Sequence, residues 1–320
     1  MNRHGILRSP ALNSAALGNA ALMQGLAEAR ADAGEVVVVK DQSGQPHRGK
    51  VFAAIHAHLD DVPYFASGLC AKLISEGYTG YIIRTSNDEK YGGRSTAENI
   101  LSNEQDHFRM AAALGFKDVF DFYYQNHDMN GISYIDLRGR LILIFRMLKV
   151  DTVISFNPWG HGEDDPDHWV TGLAVEEGCW MAGMPNDFHE HIEAGFQPHA
   201  VTERYRFCAR PGQPFNRVVD IGSHIEKKID AIVECKTHGG GNRGSIVRAQ
   251  LAKQGKRLAL LGNDDRTADR AYARQFLLGG DRECGKQYGL DFAERFYYAD
   301  QRRPVKSEAD EYIERHAESL

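Results

Sequence analysis

The sequence lacks the features that mark several common classes of protein. Its five cysteines are far apart and form no CxxC pair, so no disulfide framework is predicted and a reducing, cytoplasmic location is expected. No run of about 18 uncharged apolar residues occurs, so no membrane-spanning helix is predicted. The alanine-rich stretch near the start is interrupted by Asn13, Asn19 and Gln24, which favours a surface helix over Ala11–Ala29 rather than a signal peptide.

The sequence also lacks the charge and the glycine motifs of proteins that bind nucleic acids or nucleotides. Its net charge is −6, whereas a general nucleic-acid binder needs a basic surface to neutralise phosphates. No Gly-x-Gly-x-x-Gly or P-loop follows a predicted strand, and the glycine-rich segment 239–244 comes after a predicted helix. A small-molecule substrate is therefore the expected partner, and a homo-oligomer is left open.

The apolar pattern of the 320 residues predicts strands and helices in alternation. Such an order is typical of right-handed crossovers, so we predict a Rossmann-like α/β fold with a mostly parallel sheet covered by helices on both faces. A single domain over 1–320 is expected, with a core at about 50–240, an N-terminal extension (1–49) and a helical C-terminal extension (241–320). The strands are predicted at 36–39, 51–55, 81–83, 118–122, 152–156, 202–208 and 217–221, the last two as a candidate antiparallel addition.

Two clusters of histidine and carboxylate residues follow predicted strands. The first is Ala57-His58-Leu59-Asp60-Asp61, and the second is the segment 157–168, NPWGHGEDDPDH. Because loops after different parallel strands meet at the carboxyl edge of a sheet, the two clusters are expected to lie together.

Two imidazoles and one carboxylate make a catalytic zinc site with one open position, and His58, Asp61 and His168 satisfy that count. Another divalent ion would also fit these ligands. Asp60 is then left beside the metal as a proton acceptor, which predicts hydrolysis of an amide. As an alternative, Asp60 or Asp61 could simply cap the helix that follows.

At these residues the chain resembles the LmbE/PIG-L family of zinc-dependent N-deacetylases, which remove N-acetyl groups from amino sugars. The family's motif Ala-His-Pro-Asp-Asp corresponds to residues 57–61, and its motif His-Pro-Asp-His corresponds to residues 165–168. The resemblance covers about residues 50–240. It implies zinc ligands at His58, Asp61 and His168, and a general base at Asp60.

The resemblance also implies residues that bind the substrate. Asp128 is similar to the family's aspartate that holds the sugar hydroxyls. Lys228 and His238 fall where members often have a lysine and a histidine. Many members have Arg-x-x-Glu in the second helix, but this chain has Asn103 there, so Arg94 or Arg109 is expected to supply the positive charge.

Two further positions depart from the family motifs. Leu59 replaces the proline of the first motif. Asp165 replaces a histidine that stabilises the oxyanion, and an ionised carboxylate would repel a developing negative charge. His161, in the same loop, is the candidate replacement donor.

The function expected from this resemblance is zinc-dependent removal of an N-acetyl or other N-acyl group from an amino sugar or its conjugate. An amidase acting on a non-sugar amide would use the same metal chemistry, and Asn103 and Asp165 favour that alternative. A non-catalytic sugar- or nucleotide-binding relative is the alternative from a different class.

Overall fold

The computed structural model describes residues 36–300 and 307–318, so the helix predicted over Ala11–Ala29 lies outside the described residues. One sheet of eight strands organises the described chain, in the order β1-β7-β8-β6-β5-β2-β3-β4. The strands are β1 (Val37–Val39), β2 (Val51–His56), β3 (Thr79–Ser86), β4 (Asp118–Tyr124), β5 (Thr152–Phe156), β6 (Glu203–Phe207), β7 (Arg217–Asp220) and β8 (Ala293–Asp300).

Helices fill the connections between these strands. The α-helices are α1 (Asp61–Phe65), α2 (Ser67–Ser75), α3 (Thr96–Leu114), α4 (Tyr134–Leu148), α5 (Pro166–Met181), α6 (His189–Glu193), α7 (Ile225–Glu234), α8 (Arg243–Lys253), α9 (Asp265–Tyr272), α10 (Gly279–Gln287) and α11 (Glu308–His316). None of the helices in the described ranges is long and apolar enough to cross a membrane.

Alternating side chains of β2 bind the two helical layers to the sheet. Phe52 and Ala54 lie in one apolar cluster with residues of α2, α3 and α7. Ala53 and Ile55 lie in the other cluster, with residues of α4 and α5. Because successive side chains of a strand point to opposite faces, this strand, buried from Phe52 onwards, has apolar residues on each side. The predicted fold class, a mostly parallel sheet covered on both faces, is confirmed.

The far half of the sheet differs from the prediction. Strands β6 and β7 occur where they were expected, but β6 pairs in parallel with β5, and β7 pairs in parallel with β1. The antiparallel strand is β8, which lies between β6 and β7. It comes from a region that was expected to be helical, because the charged residues Glu294 and Arg295 hide its apolar pattern.

Candidate active site at the carboxyl edge of the sheet

The first motif forms the turn between β2 and α1. Asp61 folds back on this turn: its Oδ2 accepts hydrogen bonds from the backbone N–H groups of His58 (2.7 Å) and Ala57 (3.2 Å). Asp60 precedes α1, yet its side chain makes no capping hydrogen bond. The helix-cap alternative therefore does not describe either carboxylate.

The second motif begins α5. Pro166 is the first residue of the helix, a position where a missing N–H costs nothing. Asp165 is the N-cap, because its Oδ1 accepts from the backbone N–H of Asp167 at 2.9 Å. His168 therefore stands in the first helical turn, where its ring stacks on Phe156 at the end of β5.

The structure brings His58, Asp61 and His168 together. His58 Nδ1 lies 3.0 Å from His168 Nε2, which lies 3.3 Å from Asp61 Oδ1. The other oxygen of Asp61 is 3.8 Å from His58 Nδ1. Ligand atoms that share one ion at about 2.1 Å lie roughly 3 to 4 Å apart, so the three side chains fit one divalent metal.

Carboxylates behind the two histidines fix the direction of each ring. Asp167 Oδ2 lies 3.2 Å from His58 Nε2, and Glu163 Oε1 lies 3.1 Å from His168 Nδ1. Metal-binding histidines usually pair their second nitrogen in this way. Asp167 also accepts from the backbone N–H of His127 at 2.6 Å, so it fixes the loop after β4 as well. These supporting roles were not predicted, because neither carboxylate has a sequence spacing that indicates its partner.

The charge of these carboxylates makes the centre attractive to cations. Burial lowers the pKa of His58, but the hydrogen bond to Asp167 and the charge of Asp61 outweigh it and raise the pKa to about 9. Burial likewise lowers the pKa of His168, whereas Asp61 and Glu163 raise it, with a net pKa of about 10. The same environment would favour a divalent ion between the two imidazoles.

Asp165 lies at the same centre. One ligand atom from each of His58, Asp165 and His168 falls within 4.8 Å of the others. Asp165 Oδ2 is 3.9 Å from His168 Nε2. Asp165 stands where the family motif has a histidine that stabilises the oxyanion, and an ionised carboxylate cannot take that role.

His238 reaches the centre from the turn after α7. Its Nε2 lies 3.7 Å from Asp60 Oδ1, and its ring stacks on Tyr91 with centroids 3.9 Å apart. Its Nδ1 lies 3.2 Å from Oδ1 of the buried Asp88, which fixes the ring. The adjoining Gly239 has φ +113°, and a Cβ there would approach the Cβ of Asp60 to 2.7 Å. Glycine therefore permits the close approach of the two segments.

Burial and neighbouring charges shift the pKa of each of these groups away from its usual value. Burial raises the pKa of Asp60, against the opposing charge of His238. Burial also acts to raise the pKa of Asp88, but the hydrogen bond from His238 and the charge of Arg84 hold it well below its usual range. Burial lowers the pKa of His238, whereas Asp88 and Asp60 raise it more strongly. His238 is therefore favoured as a hydrogen-bond donor.

A cavity of about 190 Å³ joins these groups. Among the residues that line it are His58, Asp60, Asp61, Asp165, His168, His238 and the guanidinium-bearing Arg210. Arg210 Nη2 lies 2.9 Å from Glu163 Oε1, so this cation is held beside the carboxylate that orients His168. Neither Asp88 nor Arg210 was among the residues predicted to form the site.

Three of the residues predicted from sequence lie outside the lining of this cavity. The side chain of His161 is exposed, and only its carbonyl is engaged, by Gln213 Nε2 at 3.2 Å. Arg94 turns towards Ser102 Oγ at 3.3 Å. Asp128 pairs with Lys90 at 3.3 Å on the exposed surface. The structure thus groups His238 with the candidate metal ligands and leaves these three at the periphery.

Asn103 and Asp106 lie on α3, where many family members have the Arg-x-x-Glu motif, and here they hold two loops together. Asn103 Nδ2 donates to the carbonyls of Asp88 and Tyr91, at 3.1 Å each. Asp106 accepts from the backbone N–H groups of Lys236 and Thr237, at 2.9 and 2.7 Å. Helix α3 therefore fixes the two segments that carry Asp88 and His238. Arg109 pairs with Asp106 and is not among the residues lining the cavity.

Lys228 has a structural position. It is buried, and its Nζ donates to Glu294 and to the carbonyl of Tyr64, at 2.8 and 2.7 Å. It also pairs with Asp281 at 3.0 Å. The lysine thus ties α7 to β8 and does not line the cavity.

Known proteins resemble this chain in sequence and in fold. Residues 53–179 match the family model described as PIG-L, GlcNAc-PI de-N-acetylase. A diacetylchitobiose deacetylase of Thermococcus kodakarensis is 26% identical over 196 residues, which cover 59% of this chain and 69% of that protein.

Solved structures share the fold at lower identity. An N,N'-diacetylchitobiose deacetylase from Pyrococcus horikoshii aligns with a TM-score of 0.63 and 18% identity, over 93% of this chain and 96% of that one. A 4-carboxy-2-hydroxymuconate hydratase from Pseudomonas putida aligns with a TM-score of 0.56 and 16% identity, over 81% and 98% of the two chains. These likenesses establish the fold. The reaction has to be argued from the residues of the site. Residues 53–179, which carry both motifs, thus resemble the PIG-L (LmbE-like) family of N-deacetylases in sequence.

Proposed function

We propose that the protein is a zinc-dependent hydrolase that removes an N-acetyl or other N-acyl group from an amino sugar or an amino-sugar conjugate. The observation that carries the proposal is the convergence of His58 Nδ1, His168 Nε2 and the Asp61 carboxylate, all within 3.8 Å, with Asp60 beside them. The deacetylase relatives named above support the class of substrate.

The donor set fits a divalent ion. His58, His168 and Asp61 would hold it through two nitrogens and a carboxylate, the ligand types of catalytic zinc sites. A bound divalent ion lowers the pKa of a water molecule and polarises a carbonyl oxygen. The carboxylates of Asp167 and Glu163 would keep both imidazoles turned towards the ion.

Asp60 is suited to move the proton. It lines the cavity, and its pKa is raised by burial, which makes its carboxylate a better base. In this role Asp60 accepts a proton from the attacking water and returns it to the nitrogen of the departing amine. The carbon–nitrogen bond of the amide breaks, and the products are a carboxylic acid and a free amine.

His238 is the better-placed donor for the developing oxyanion. Its Nδ1 is held by Asp88, so its Nε2–H can face the cavity. The raised pKa of His238 favours the protonated ring, which stabilises negative charge on the former carbonyl oxygen. In this proposal His238 takes the role that sequence analysis had given to His161. Arg94 and Asp128 would contact only those parts of a substrate that extend beyond the cavity.

An amidase acting on a non-sugar amide is the second candidate. The observation that favours it is the position of Asn103, whose amide is bonded to the carbonyls of Asp88 and Tyr91 instead of facing the cavity. The chain therefore lacks, at that position, the cation that many family members offer to their substrates.

Metal analysis combined with two variants tests the proposal. We expect about one zinc per chain and release of amine from N-acetylated amino sugars, including diacetylchitobiose. Asp60→Asn should keep the metal and lose turnover by about 10²-fold or more, the usual effect of removing a general base. His168→Ala should lose both metal and turnover.

The matched control is Asp118→Asn, an exposed carboxylate at the start of β4, which should retain the activity of the parent. Turnover by Asp60→Asn at the parental rate would contradict the mechanism. Turnover of non-sugar amides alone would favour the second candidate.

A further inference from the structure

We propose that Asp165 is a fourth protein ligand of the metal centre, which makes the site one of two histidines and two carboxylates. The inference rests on the proposed function, since it concerns the same centre. It assigns a role to a position at which this chain departs from the family motif.

The two oxygens of Asp165 have different surroundings. Oδ1 caps helix α5 by accepting from the backbone N–H of Asp167 at 2.9 Å. This bond fixes the carboxylate, and Oδ2 is left 3.9 Å from His168 Nε2. The residue lines the cavity, and its side chain is only 20% exposed. Asp165 is thus held with one free oxygen towards the group it forms with His58 and His168.

The neighbouring carboxylates are engaged in other ways. Glu163 pairs with Arg210 and His168 Nδ1, and Asp167 accepts from His58 Nε2 and from backbone N–H groups. In the described ranges, no lysine or arginine lies within ion-pair distance of Asp165. Among the described residues, the carboxylates that come within 4.0 Å of the His168 nitrogen facing His58 are those of Asp61 (3.3 Å) and Asp165 (3.9 Å). When His168 is neutral, as a metal ligand must be, the charge best placed to neutralise Asp165 is a cation between the two imidazoles.

A second carboxylate changes which ion the centre prefers. Four protein ligands fill a tetrahedral zinc centre, so a zinc ion held by all four would have to take a fifth ligand to bind water. An ion that accepts five or six ligands stays open, and carboxylate oxygen is a ligand that suits Mn²⁺. Asp165 is therefore expected to strengthen the binding of Mn²⁺ more than that of Zn²⁺.

Asp165→Asn is the variant that tests this inference. Asparagine is a good N-cap, so its amide oxygen can keep the hydrogen bond to Asp167 N–H, while an NH₂ group replaces the free oxygen. Asp165→Ser also preserves the cap but is too short to reach the metal. The control is Asp164→Asn, which removes the same charge from an adjacent side chain that is 94% exposed.

The measurement is metal affinity of the full chain, freed of metal and titrated separately with Mn²⁺ and Zn²⁺ against a competing chelator. Asp165→Asn and Asp165→Ser should weaken Mn²⁺ binding at least about tenfold, the lower end of the loss caused by altering even the outer partners of a metal site. Zn²⁺ binding should weaken less, and Asp164→Asn should match the parent for both ions. The visible spectrum of the Co²⁺ form should also change in the Asp165 variants and not in the control.

The outcomes separate the inference from the proposed function. If the Asp165 variants and the parent bind both ions equally, while His168→Ala binds neither, Asp165 is not a ligand and the metal centre stands. If Asp164→Asn weakens binding as much as Asp165→Asn, the effect is one of general charge, and the inference is overturned. If the parent binds neither ion, both the inference and the proposed metal centre are overturned.

Discussion

At the scale of single residues, the replacement of proline by Leu59 adds a hydrogen bond to the first motif. Proline has no backbone N–H. The backbone N–H of Leu59 donates a hydrogen bond to Asp88 Oδ2 at 2.9 Å. Asp88 also accepts from Arg84 at 3.0 Å, and it fixes His238 through its other oxygen. Leu59 thus helps to hold Asp88, the residue that places His238 opposite Asp60.

His238→Gln should lower kcat by about 10²-fold or more, the usual scale for loss of a positioned acid–base group, with no change in metal content.

Asp88→Asn should act through His238. Because Asp88 raises the pKa of His238, its neutralisation should lower that pKa, and the limb of the pH–rate profile on which activity is lost with rising pH should move to lower pH.

Kinetics across pH and metal analysis of both variants check this prediction. Asp128→Asn, at an exposed carboxylate outside the cavity lining, provides the comparison and should leave that limb in place. An unchanged alkaline limb in Asp88→Asn would show that Asp88 does not act through His238.

The sequence was sufficient to predict which histidine and aspartate residues lie together at the carboxyl edge of the sheet. His58, Asp61 and His168 were predicted as neighbours because two histidine–aspartate motifs follow two parallel strands. Asp88 and Arg210 were missed, because their approach to the centre depends on tertiary contacts with His238 and Glu163 that have no signature in local sequence.

At the scale of helices and strands, the interior of the sheet was predictable and the region around β8 was not. Strand β5 and all but the first residue of β2 are buried, so mostly apolar sequences mark both strands. Strand β8 carries Glu294, whose burial depends on distant partners: its carboxylate accepts from the backbone N–H groups of Gly68 and Leu69 and from Lys228. Those partners lie on α2 and α7, beyond the reach of any local pattern.

Lys228→Met should therefore destabilise the fold without removing a catalytic group. The change leaves Glu294 and Asp281 buried without their cation, a loss of about 3–5 kcal/mol in the free energy of unfolding. Urea unfolding of the variant and the parent measures the difference, and metal content of the folded variant should match the parent.

The adjacent Lys227 supplies the control, because it is exposed and donates only to the carbonyl of Ala113. Lys227→Met should change the free energy of unfolding by less than about 1 kcal/mol, as expected for a surface substitution. Equal losses in the two variants would contradict the structural role given to Lys228.

At the scale of the whole molecule, the matched family segment does not contain the complete sheet or the complete cavity. Residues 53–179 include nearly all of β2 through β5, together with the two motifs. Arg210 and His238, which line the cavity, lie after this segment, as do the strands β6, β7 and β8. The predicted division into a core at 50–240 and two extensions stays a prediction, but the sheet itself continues to Asp300.

Two truncated chains separate the contribution of the C-terminal strand β8 to stability from that of the C-terminal helix α11. A chain that ends at residue 288 lacks β8, so β6 and β7 would each lose a neighbouring strand, and Lys228 would lose Glu294. Unpaired strand edges and a buried, partly unpaired charge both disfavour the native state. We expect this chain to lose cooperative unfolding and to aggregate.

A chain that ends at residue 306 keeps the whole sheet and lacks only α11, which has no buried residues. It should unfold at the temperature of the parent and bind the same amount of metal, because none of the contacts that hold the cavity would be altered. Thermal unfolding followed by circular dichroism, with metal analysis, compares the three chains. Cooperative unfolding and parental metal content in the chain ending at 288 would show that β8 is dispensable, and would favour a core that closes before residue 240.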